Sequence, residues 1–252
     1  MRVNTPIRHL LAVGAAGALV VAASAAVSAP AGEAHLPDLQ TKRATLKNRL
    51  TIDTSTGKKL LRFSNTVWNA GDGPLEVRPD NSGATNSTQA YQRVFTHDDQ
   101  GTWQLVEEFL VGTFQFHEEH NHWHFSDFAL YELRDVAAGG GVGTIKRTGQ
   151  KETFCIADTT QVNSGLEHSP ARRVYRVGSC DQNSNAGLSV GWGDTYRWDL
   201  PGQEIDITGL PDGQYWLVST ADPKNRLRET NDGNNTAKLK IQITGDTVAP
   251  AG

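Results

Sequence analysis

Short apolar and β-preferring stretches recur along the chain from residue 60 to residue 244, and turn residues separate them. Gly, Pro, Asn and Asp mark the turns, as in Asn-Ala-Gly-Asp-Gly-Pro at 69–74 and Pro-Asp-Gly at 211–213. Strands are predicted over 60–69, 102–108, 112–116, 120–133, 151–157, 195–198, 204–206, 213–221 and 236–244. Helix is scarce, with one or two turns predicted within 39–48. The pattern predicts an all-β fold, an antiparallel β-sandwich with long loops and little helix.

The N-terminus has the features of a cleavable secretory signal peptide. Arg2 and Arg8 precede an apolar, alanine-rich stretch over 10–27, and small residues follow up to residue 29. A membrane anchor is the alternative, although the stretch is weakly apolar for a bilayer span. We expect a signal peptide over 1–29, one β-sandwich domain over 30–245 and a disordered tail over 246–252. The short leader is typical of bacterial export, which predicts a secreted, extracellular protein with no stable membrane anchor after cleavage.

Charge and cysteine content narrow the class of protein further. The formal net charge is −4, and loss of Arg2 and Arg8 with the leader makes it about −6, which disfavours a nucleic-acid partner. The chain has two cysteines, Cys155 and Cys180. In an exported chain two cysteines usually pair, and this bridge would contribute about 3 kcal/mol in the chain-entropy model. Two buried free thiols are the alternative.

Four of the eight histidines fall within eight residues, in the sequence Phe-His-Glu-Glu-His-Asn-His-Trp-His-Phe at 116–125. His120, His122 and His124 are spaced two apart, and residues two apart on a strand project from the same face about 7 Å from each other. Imidazoles at this spacing can converge on one ion. The sequence therefore predicts a three-histidine metal site. Copper, zinc, nickel and iron all accept such ligands, and a solvated histidine-rich strand is the alternative.

Several ordered segments together resemble the lysyl oxidase family. The histidine stretch is similar to the copper-binding segment of that family. Lys-Glu-Thr-Phe-Cys-Ile-Ala-Asp-Thr at 151–159, Gly-Leu-Ser at 187–189, Gly-Asp-Thr-Tyr at 193–196, Glu-Ile-Asp-Ile-Thr at 204–208 and Pro-Asp-Gly-Gln-Tyr at 211–215 resemble further segments. The resemblance covers about residues 36–245, and the segments keep their order. It implies that His120, His122 and His124 bind Cu(II).

The resemblance also implies a cofactor made from the protein itself. In the family, copper and O₂ oxidise a tyrosine to which a lysine amine adds, which gives lysine tyrosylquinone. The matching residues are Lys151 and Tyr196. Taken alone, Lys151 would be a solvated surface lysine and Tyr196 a core aromatic. The implied reaction is oxidative deamination of a primary amine, with protein lysine side chains among the substrates, to an aldehyde with release of ammonia and hydrogen peroxide.

A catalytic base is less clearly indicated. Asp127 lies three residues after His124, so a regular strand would place it on the opposite face, and a bulge would be needed to bring it round. Asp127 could instead orient a ligand imidazole. Animal members carry a His before the tyrosine that matches Tyr131, whereas Leu130 stands here. His117 and His168 are the substitutes, each with a surface histidine as its alternative.

A second cation site is predicted near the C-terminus. The turn at 229–235 is rich in oxygen donors, as hard cations require. The resemblance implies that such a turn binds calcium together with an Asp-Leu pair near the domain start. The residues concerned are Asp38, Leu39 through its carbonyl, Glu229, Asn231, Asn234 and Asn235. Asn231 replaces an Asp of the family pattern, and an ordinary polar hairpin turn is the alternative.

Taken together, the sequence predicts a secreted, copper-dependent amine oxidase of lysyl oxidase type, whose substrates are a primary amine and O₂. Two other functions stay open. One is a secreted copper- or zinc-binding β-sandwich without oxidase activity, and the other is a zinc hydrolase. A quinone chromophore that reacts with phenylhydrazine separates the first function from the others. The sequence does not identify the physiological amine.

Overall fold

Antiparallel strands make up most of the regular structure in the computed structural model, which describes residues 32–80, 86–118, 121–149, 153–181 and 183–251. The strands are β1 (Leu39–Thr41), β2 (Thr51–Asp53), β3 (Leu60–Arg62), β4 (Asn65–Asn69), β5 (Leu75–Pro79), β6 (Ser87–His97), β7 (Trp103–His117), β8 (His122–Ser126), β9 (Ala129–Val136), β10 (Val142–Thr148), β11 (Thr153–Phe154), β12 (Thr160–Gln161), β13 (Ala186–Leu188), β14 (Trp192–Tyr196), β15 (Glu204–Asp206), β16 (Gly213–Ala221), β17 (Thr236–Thr244) and β18 (Thr247–Pro250). Helix is limited to α1 (Arg43–Leu46) and short 3-10 turns at Ala138–Gly140, Val177–Ser179 and Asp232–Asn234. The predicted all-β class is confirmed.

Within the described residues, the strands form four antiparallel sheets. The largest has the order β11-β8-β7-β6-β5-β13, and a five-stranded sheet has the order β10-β9-β16-β17-β18. Smaller sheets have the orders β1-β4-β14-β12 and β15-β3-β2. All four sheets contribute side chains to one buried apolar cluster, including Phe125, Leu217, Val67 and Ile205. The shared cluster fixes the sheets against one another, because burial of apolar area is the main stabilising term in folding.

The predicted strand over 120–133 is wrong in one respect, because the chain changes sheet in its middle. β8 belongs to the six-stranded sheet and β9 to the five-stranded sheet. The break falls at Asp127, whose φ is 60°. Aspartate tolerates this left-handed conformation better than most residues, and the turn redirects the chain from one sheet to the other. A run of β-preferring residues does not show where such a turn occurs.

Other boundaries differ for similar reasons. The predicted strand at 60–69 is divided into β3 and β4, which lie in different sheets, with the hydroxyl of Ser64 accepting from the amide of Trp198 at the break. The predicted strands at 102–108 and 112–116 are one strand, β7, whose register against β6 shifts at two points. The helix predicted within 39–48 shortens to α1, since 39–41 form β1. Strands 204–206, 213–221 and 236–244 are confirmed.

The predicted disordered tail over 246–252 is also wrong for most of its length. β18 pairs with β17 from Thr244↔Thr247 to Ile241↔Pro250, across a two-residue turn. Gly245 has a φ of 53°, which suits the tight turn of a two-residue hairpin. Val248 packs against the apolar cluster. The tail therefore gains both backbone pairing and apolar burial.

The described part of the chain contains no helix with the length and apolar character required to span a bilayer.

Candidate active site

β8 carries the histidines and lies between β7 and β11 in the six-stranded sheet. Its register pairs His122 with His117 and His124 with Gln115. Trp123 and Phe125, the alternate residues of the strand, are buried in the apolar cluster. This alternation places His122 and His124 on the same face, as the spacing predicts.

The imidazoles of His122 and His124 converge. Their Nε2 atoms lie 2.8 Å apart, and the hydroxyl of Thr153 lies 3.1 Å from Nδ1 of His124. The same hydroxyl lies 2.8 Å from Nε2 of His117, whose ring centre is 4.3 Å from that of His124. Two nitrogens bound to one ion at about 2.0 Å each lie about 3 Å apart, so only a small ring movement separates this pair from a ligand arrangement.

The third predicted ligand, His120, lies outside the described residues, as does Lys151. Among the residues that the structure describes, no group of three or more His, Cys, Asp or Glu side chains is placed so that it could hold a metal ion. The predicted set therefore has two of its three members in the structure, and those two point their Nε2 atoms at each other.

A cavity of about 410 Å³ opens beside the two histidines. Its described lining consists of His122, His124, Cys155, Thr159, Val177, Asp194, Thr195, Tyr196, Leu200 and Pro201. Tyr196, which the sequence implicates in the cofactor, thus shares one cavity with two predicted copper ligands. Tyr196 lies more than seventy residues after His124 in the chain. The histidines are carried by β8 and Tyr196 by β14, and these strands belong to different sheets.

Tyr196 is held in a fixed position at the end of β14. Its hydroxyl donates to the carbonyl oxygen of Cys155 at 3.0 Å. Its ring meets Phe154 edge-on, with ring centres 4.9 Å apart. Burial, and next the charge of Asp194, raise the pKa of Tyr196 well above its usual value. The residue is therefore a neutral phenol at neutral pH.

The predicted disulfide is confirmed. Cys155 and Cys180 are bonded, with Cα atoms 5.7 Å apart. Cys155 also accepts the Tyr196 hydroxyl through its carbonyl, and the carbonyl of Cys180 accepts from the amide of Trp123 at 2.8 Å. One covalent bridge therefore connects the residue that fixes Tyr196 to the strand that carries the histidines.

A buried carboxylate, Asp158, holds the loop that ends at Cys180. It accepts from the amides of Val174 and Tyr175 at 2.9 and 3.2 Å. It also accepts from the amide and the hydroxyl of Ser189 at 2.8 and 2.7 Å. Asp158 and Ser189 thus join two of the sequence segments that resemble the family, and they fix the loop that presents Val177 to the cavity.

The structure does not bring Asp127 into the described lining of the cavity. Its carboxylate pairs with Lys224 at 2.9 Å and with Arg226 at 3.3 Å. His168 also lies elsewhere, with its ring centre 4.2 Å from that of His97. Of the three base candidates, only His117 lies with the histidines of β8.

The predicted calcium residues are brought together from the two ends of the domain. The amide of Leu39 donates to Oε2 of Glu229, and the side-chain amide of Asn235 donates to Oε1 at 2.8 Å. The side-chain amide of Asn234 donates to both carboxylate oxygens of Asp38 at 2.9 and 3.1 Å. The exposed Asn231 instead accepts from the amide of Gly233 and caps the 3-10 turn.

Two oxygens in this cluster lack a hydrogen-bond partner among the described residues. They are Oδ1 of Asn234 and Oδ1 of Asn235, and both are buried. Burial, with added repulsion from Asp222 and Asp232, raises the pKa of Glu229 to about 8. Buried acceptors without donors beside an acid that resists ionisation are the surroundings a hard cation would satisfy.

Comparison with known proteins agrees with this arrangement. The family model described as lysyl oxidase matches residues 96–251, which contain β8, the cavity and the turn of Glu229. The chain belongs to the lysyl oxidase family. Lysyl oxidase homolog 1 from Homo sapiens is 32% identical over 151 residues, which is 60% of this chain and 24% of the human protein. Protein-lysine 6-oxidase from Gallus gallus is 31% identical over 147 residues, which is 58% of this chain and 32% of the chicken protein.

This lysyl oxidase family member therefore aligns with only part of each relative. Lysyl oxidase homolog 2 from Gallus gallus is 26% identical over 199 residues, which is 79% of this chain and 20% of that protein. The chain spans about a fifth to a third of the length of these relatives.

Three polar residues that the structure places at the site were not predicted from the sequence: Asp194, Thr159 and Thr153. Asp194 is buried in the cavity wall, where its Oδ1 accepts from the hydroxyl of Thr159 at 3.3 Å. Thr153 connects His117 and His124 through its hydroxyl. All three lie within segments that carry the family resemblance, so a search of those segments for polar side chains would have found them.

Proposed function

We propose that this chain is a secreted copper amine oxidase of lysyl oxidase type. It would oxidise a primary amine, with lysine side chains of proteins among its substrates, to an aldehyde with release of ammonia and hydrogen peroxide. One observation carries the proposal: His122, His124 and Tyr196 line the same cavity. The names of the relatives, which include protein-lysine 6-oxidase, support the substrate class.

His120, His122 and His124 would hold the copper ion. The approach of two Nε2 atoms to 2.8 Å on a half-buried face fits this role, since neutral imidazole is a good ligand for Cu(II). The hydroxyl of Thr153, at 3.1 Å, helps to hold the ring of His124. Bound copper would supply, with O₂, the oxidation that converts Tyr196 to a quinone, and the quinone would supply the electron sink for amine oxidation.

Lys151 would provide the amine that becomes part of the lysine tyrosylquinone. Lys151 lies two residues before Thr153 in the sequence, and Thr153 contacts two of the clustered histidines. Tyr196 would be positioned for the reaction by its hydrogen bond to Cys155 and its edge contact with Phe154. The disulfide would maintain this position, because it fixes Cys155 to the loop that closes the cavity.

The chain can favour the reactive form of the substrate. Val177, Leu200 and Pro201 line the cavity, and such apolar surroundings disfavour an ammonium ion relative to a neutral amine. Only the neutral amine has the lone pair needed for nucleophilic attack. For the proton acceptor, we favour His117 over Asp127, because Asp127 is occupied by Lys224 and Arg226.

Calcium would have a structural role. Asp38, Glu229, Asn234 and Asn235 would hold the ion, with Leu39 contributing its carbonyl and Asn231 at the periphery. The two buried amide oxygens without donors support this assignment. Bound Ca²⁺ would favour the ionised form of Glu229, and it would join the chain near β1 to the turn before β17.

Export is part of the same proposal. The disulfide Cys155–Cys180 fits an oxidising compartment, where such bonds form and persist. The predicted signal peptide over 1–29 lies outside the described residues.

Peptide mass spectrometry of the copper-loaded protein tests the proposal directly. We expect tryptic peptides containing Lys151 and Tyr196 to be covalently joined, and the intact protein to release hydrogen peroxide with a primary amine such as cadaverine. Lys151→Ala should lose amine turnover and the cross-link but retain copper, because Lys151 is not a proposed ligand. Separate, unmodified peptides in protein that still oxidises amines would show that the proposed cofactor is wrong. Copper binding with neither cross-link nor peroxide would favour a metal-binding protein without oxidase activity.

A further inference from the structure

Three histidines outside β8 form a second cluster. The ring centres of His35, His97 and His168 lie 6.3 Å (His35–His97), 5.3 Å (His35–His168) and 4.2 Å (His97–His168) apart. His35 lies before β1, His97 ends β6, and His168 lies in the loop between β12 and Cys180. Every histidine in the described part of the chain therefore belongs either to this group or to the cluster at β8.

Asp72 orients two of these rings. Its Oδ2 lies 3.0 Å from Nδ1 of His35, and its carbonyl oxygen lies 3.1 Å from Nδ1 of His168. Because both oxygens are acceptors, each Nδ1 carries the hydrogen and donates it. The neutral ring then has its lone pair on Nε2. Histidines that bind metals are usually held in this way, with the second ring nitrogen donating to a carboxylate or a carbonyl.

The backbone at His168 supports a specific role for this ring. His168 has a φ of 65°, which non-glycine residues seldom adopt and which costs free energy. Here the conformation presents the ring to His97 and leaves its side chain only 17% exposed.

The spacing of the rings fits a single ion. A point equidistant from the three ring centres lies about 3.2 Å from each, and an imidazole nitrogen bound at about 2.0 Å places its ring centre about 3.2 Å from the metal. As the side chains stand, they do not form a group that could hold an ion, so binding requires the rings to turn about χ2, a torsion with broad preferences in histidine. For His35 and His168 the turn must be small enough to keep their bonds to Asp72. Their separations already leave the required space.

Trp103 packs beside the group. Its ring centre lies 5.6, 4.6 and 5.2 Å from those of His35, His97 and His168. It therefore contacts all three imidazoles from one side. An indole in this position limits access of water to the cluster and favours a nearby cation.

We propose that His35, His97 and His168 bind one divalent transition-metal ion, with Asp72 orienting two of the rings and Trp103 covering one side. Three imidazole nitrogens suit copper, zinc and nickel, and the general order of affinities puts Cu(II) first. The cavity that contains Tyr196 is lined by residues other than these three histidines, so this ion would have a structural role. It would fasten the segment before β1 and the hairpin of β6 and β7 to the loop that ends at Cys180.

Metal counting in a double variant tests the proposal. His122→Ala combined with His124→Ala removes two donors from β8 and leaves the second cluster intact. After equilibrium dialysis against Cu(II) alone, we expect this protein to retain one equivalent of copper by elemental analysis. Adding either His97→Phe, which keeps an aromatic ring, or His168→Asn, which tolerates positive φ, should lower that to near zero.

Tryptophan fluorescence locates the ion independently of activity. Cu(II) quenches a nearby indole strongly, so titration of the double variant should lower its emission. Trp103→Phe should remove most of that response. Trp216→Phe is the matched control, because Trp216 lies on β16 with its indole nitrogen bonded to Gly140 and Gly141, and it should leave the response in place.

Specific results would overturn the proposal. It is wrong if the double variant binds neither Cu(II) nor Zn(II), or if His97→Phe and His168→Asn leave the metal count unchanged. If the double variant does not fold by circular dichroism, the same count is made in the otherwise unchanged protein. His97→Phe should then lower the copper content by one equivalent, and an unchanged content would again contradict the proposal.

Discussion

The histidine cluster of β8 and the cluster of Asp38 and Glu229 differ in how the chain assembles them. His122 and His124 are neighbours on one strand, and their Nε2 atoms approach to 2.8 Å. Asp38 and Glu229 are 191 positions apart, and each is held by an asparagine of the same turn. The first site needs only local strand geometry, whereas the second exists only when the whole domain is folded. Binding of a cation by the second cluster would therefore be linked directly to folding.

The two sites also differ in the cost of being without metal. The imidazoles of His122 and His124 hydrogen-bond to each other or to Thr153, so the first cluster would tolerate loss of a bound ion. Glu229 is buried, and its pKa is raised to about 8, so an ionised carboxylate there is unfavourable. We therefore expect copper to govern chemistry and calcium to govern stability.

The largest effect is expected for His124→Ala. Loss of one ligand should remove copper and lower amine oxidation below detection, because the quinone cannot form without the ion. The melting temperature should change by only a few degrees, since β8 keeps Trp123 and Phe125 in the core. Elemental analysis, peroxide release and thermal unfolding measure the three quantities. Full copper occupancy in this variant would remove the basis of the comparison.

Tyr196→Phe should separate chemistry from metal binding at the same cavity. The variant lacks the hydroxyl from which quinone formation starts, so we expect no visible chromophore with phenylhydrazine and no turnover, while copper content stays normal. Tyr131→Phe is the matched control, because Tyr131 is a fully buried tyrosine whose hydroxyl bonds Asn65 and Gln203 instead. The control should keep the chromophore. Equal labelling of the two variants would exclude Tyr196 as the cofactor precursor.

The disulfide connects the local site to the rest of the fold. Replacing Cys155 and Cys180 together by Ser should lower the free energy of unfolding by about 3 kcal/mol, since the bridge closes a loop of roughly 25 residues. Chromophore formation should slow as well, because Cys155 positions Tyr196 and Cys180 accepts from Trp123. Denaturant unfolding and the rate of colour development measure these effects. Unchanged colour development would mean that the bridge has no part in positioning Tyr196.

Local pattern made the cluster of β8 predictable. Period two within eight residues identified His122 and His124 as residues of one face, and the structure buries the alternate residues Trp123 and Phe125 in the core. The change of sheet after Ser126 was not predictable, because it depends on a left-handed residue at Asp127. For the same reason Asp127 points to Lys224 and Arg226 instead of the histidines.

Long-range assembly explains what the sequence did not reveal. More than sixty residues separate His35 from His97, and His97 from His168. No short stretch of the sequence therefore contains two of these histidines. Because the sequence does not reveal this cluster, His168 was predicted as a candidate catalytic base. In the structure its ring centre lies 4.2 Å from that of His97. Asp38 could be assigned to the turn of Glu229 only through family resemblance. Spatial neighbours that are remote in sequence require the fold itself.

The smallest effect is expected in how the stability of the fold depends on pH and on calcium. In chelator, Glu229 has a pKa near 4.5 when unfolded and about 8 when folded. The folded state then binds the extra proton between these values. Stability should therefore fall as pH rises from about 4.5 to 8, with a slope of at most about 1.4 kcal/mol per pH unit from this group. Saturating Ca²⁺ should abolish that fall, because the ion stabilises the carboxylate.

Thermal unfolding between pH 5 and pH 8, in chelator and in millimolar calcium, measures this linkage. Glu229→Gln should flatten the slope in chelator and remove most of the calcium response, since glutamine does not titrate and carries no charge. Asp199→Asn is the control, because Asp199 is an exposed carboxylate paired with Arg197, and it should keep both responses. If calcium leaves the melting curve of the unchanged protein in place at every pH, the cluster is held by its hydrogen bonds alone. The cluster of Asp38 and Glu229 would then differ from the histidine cluster of β8 only in the sequence distance between its residues. Calcium binding would not be linked to folding.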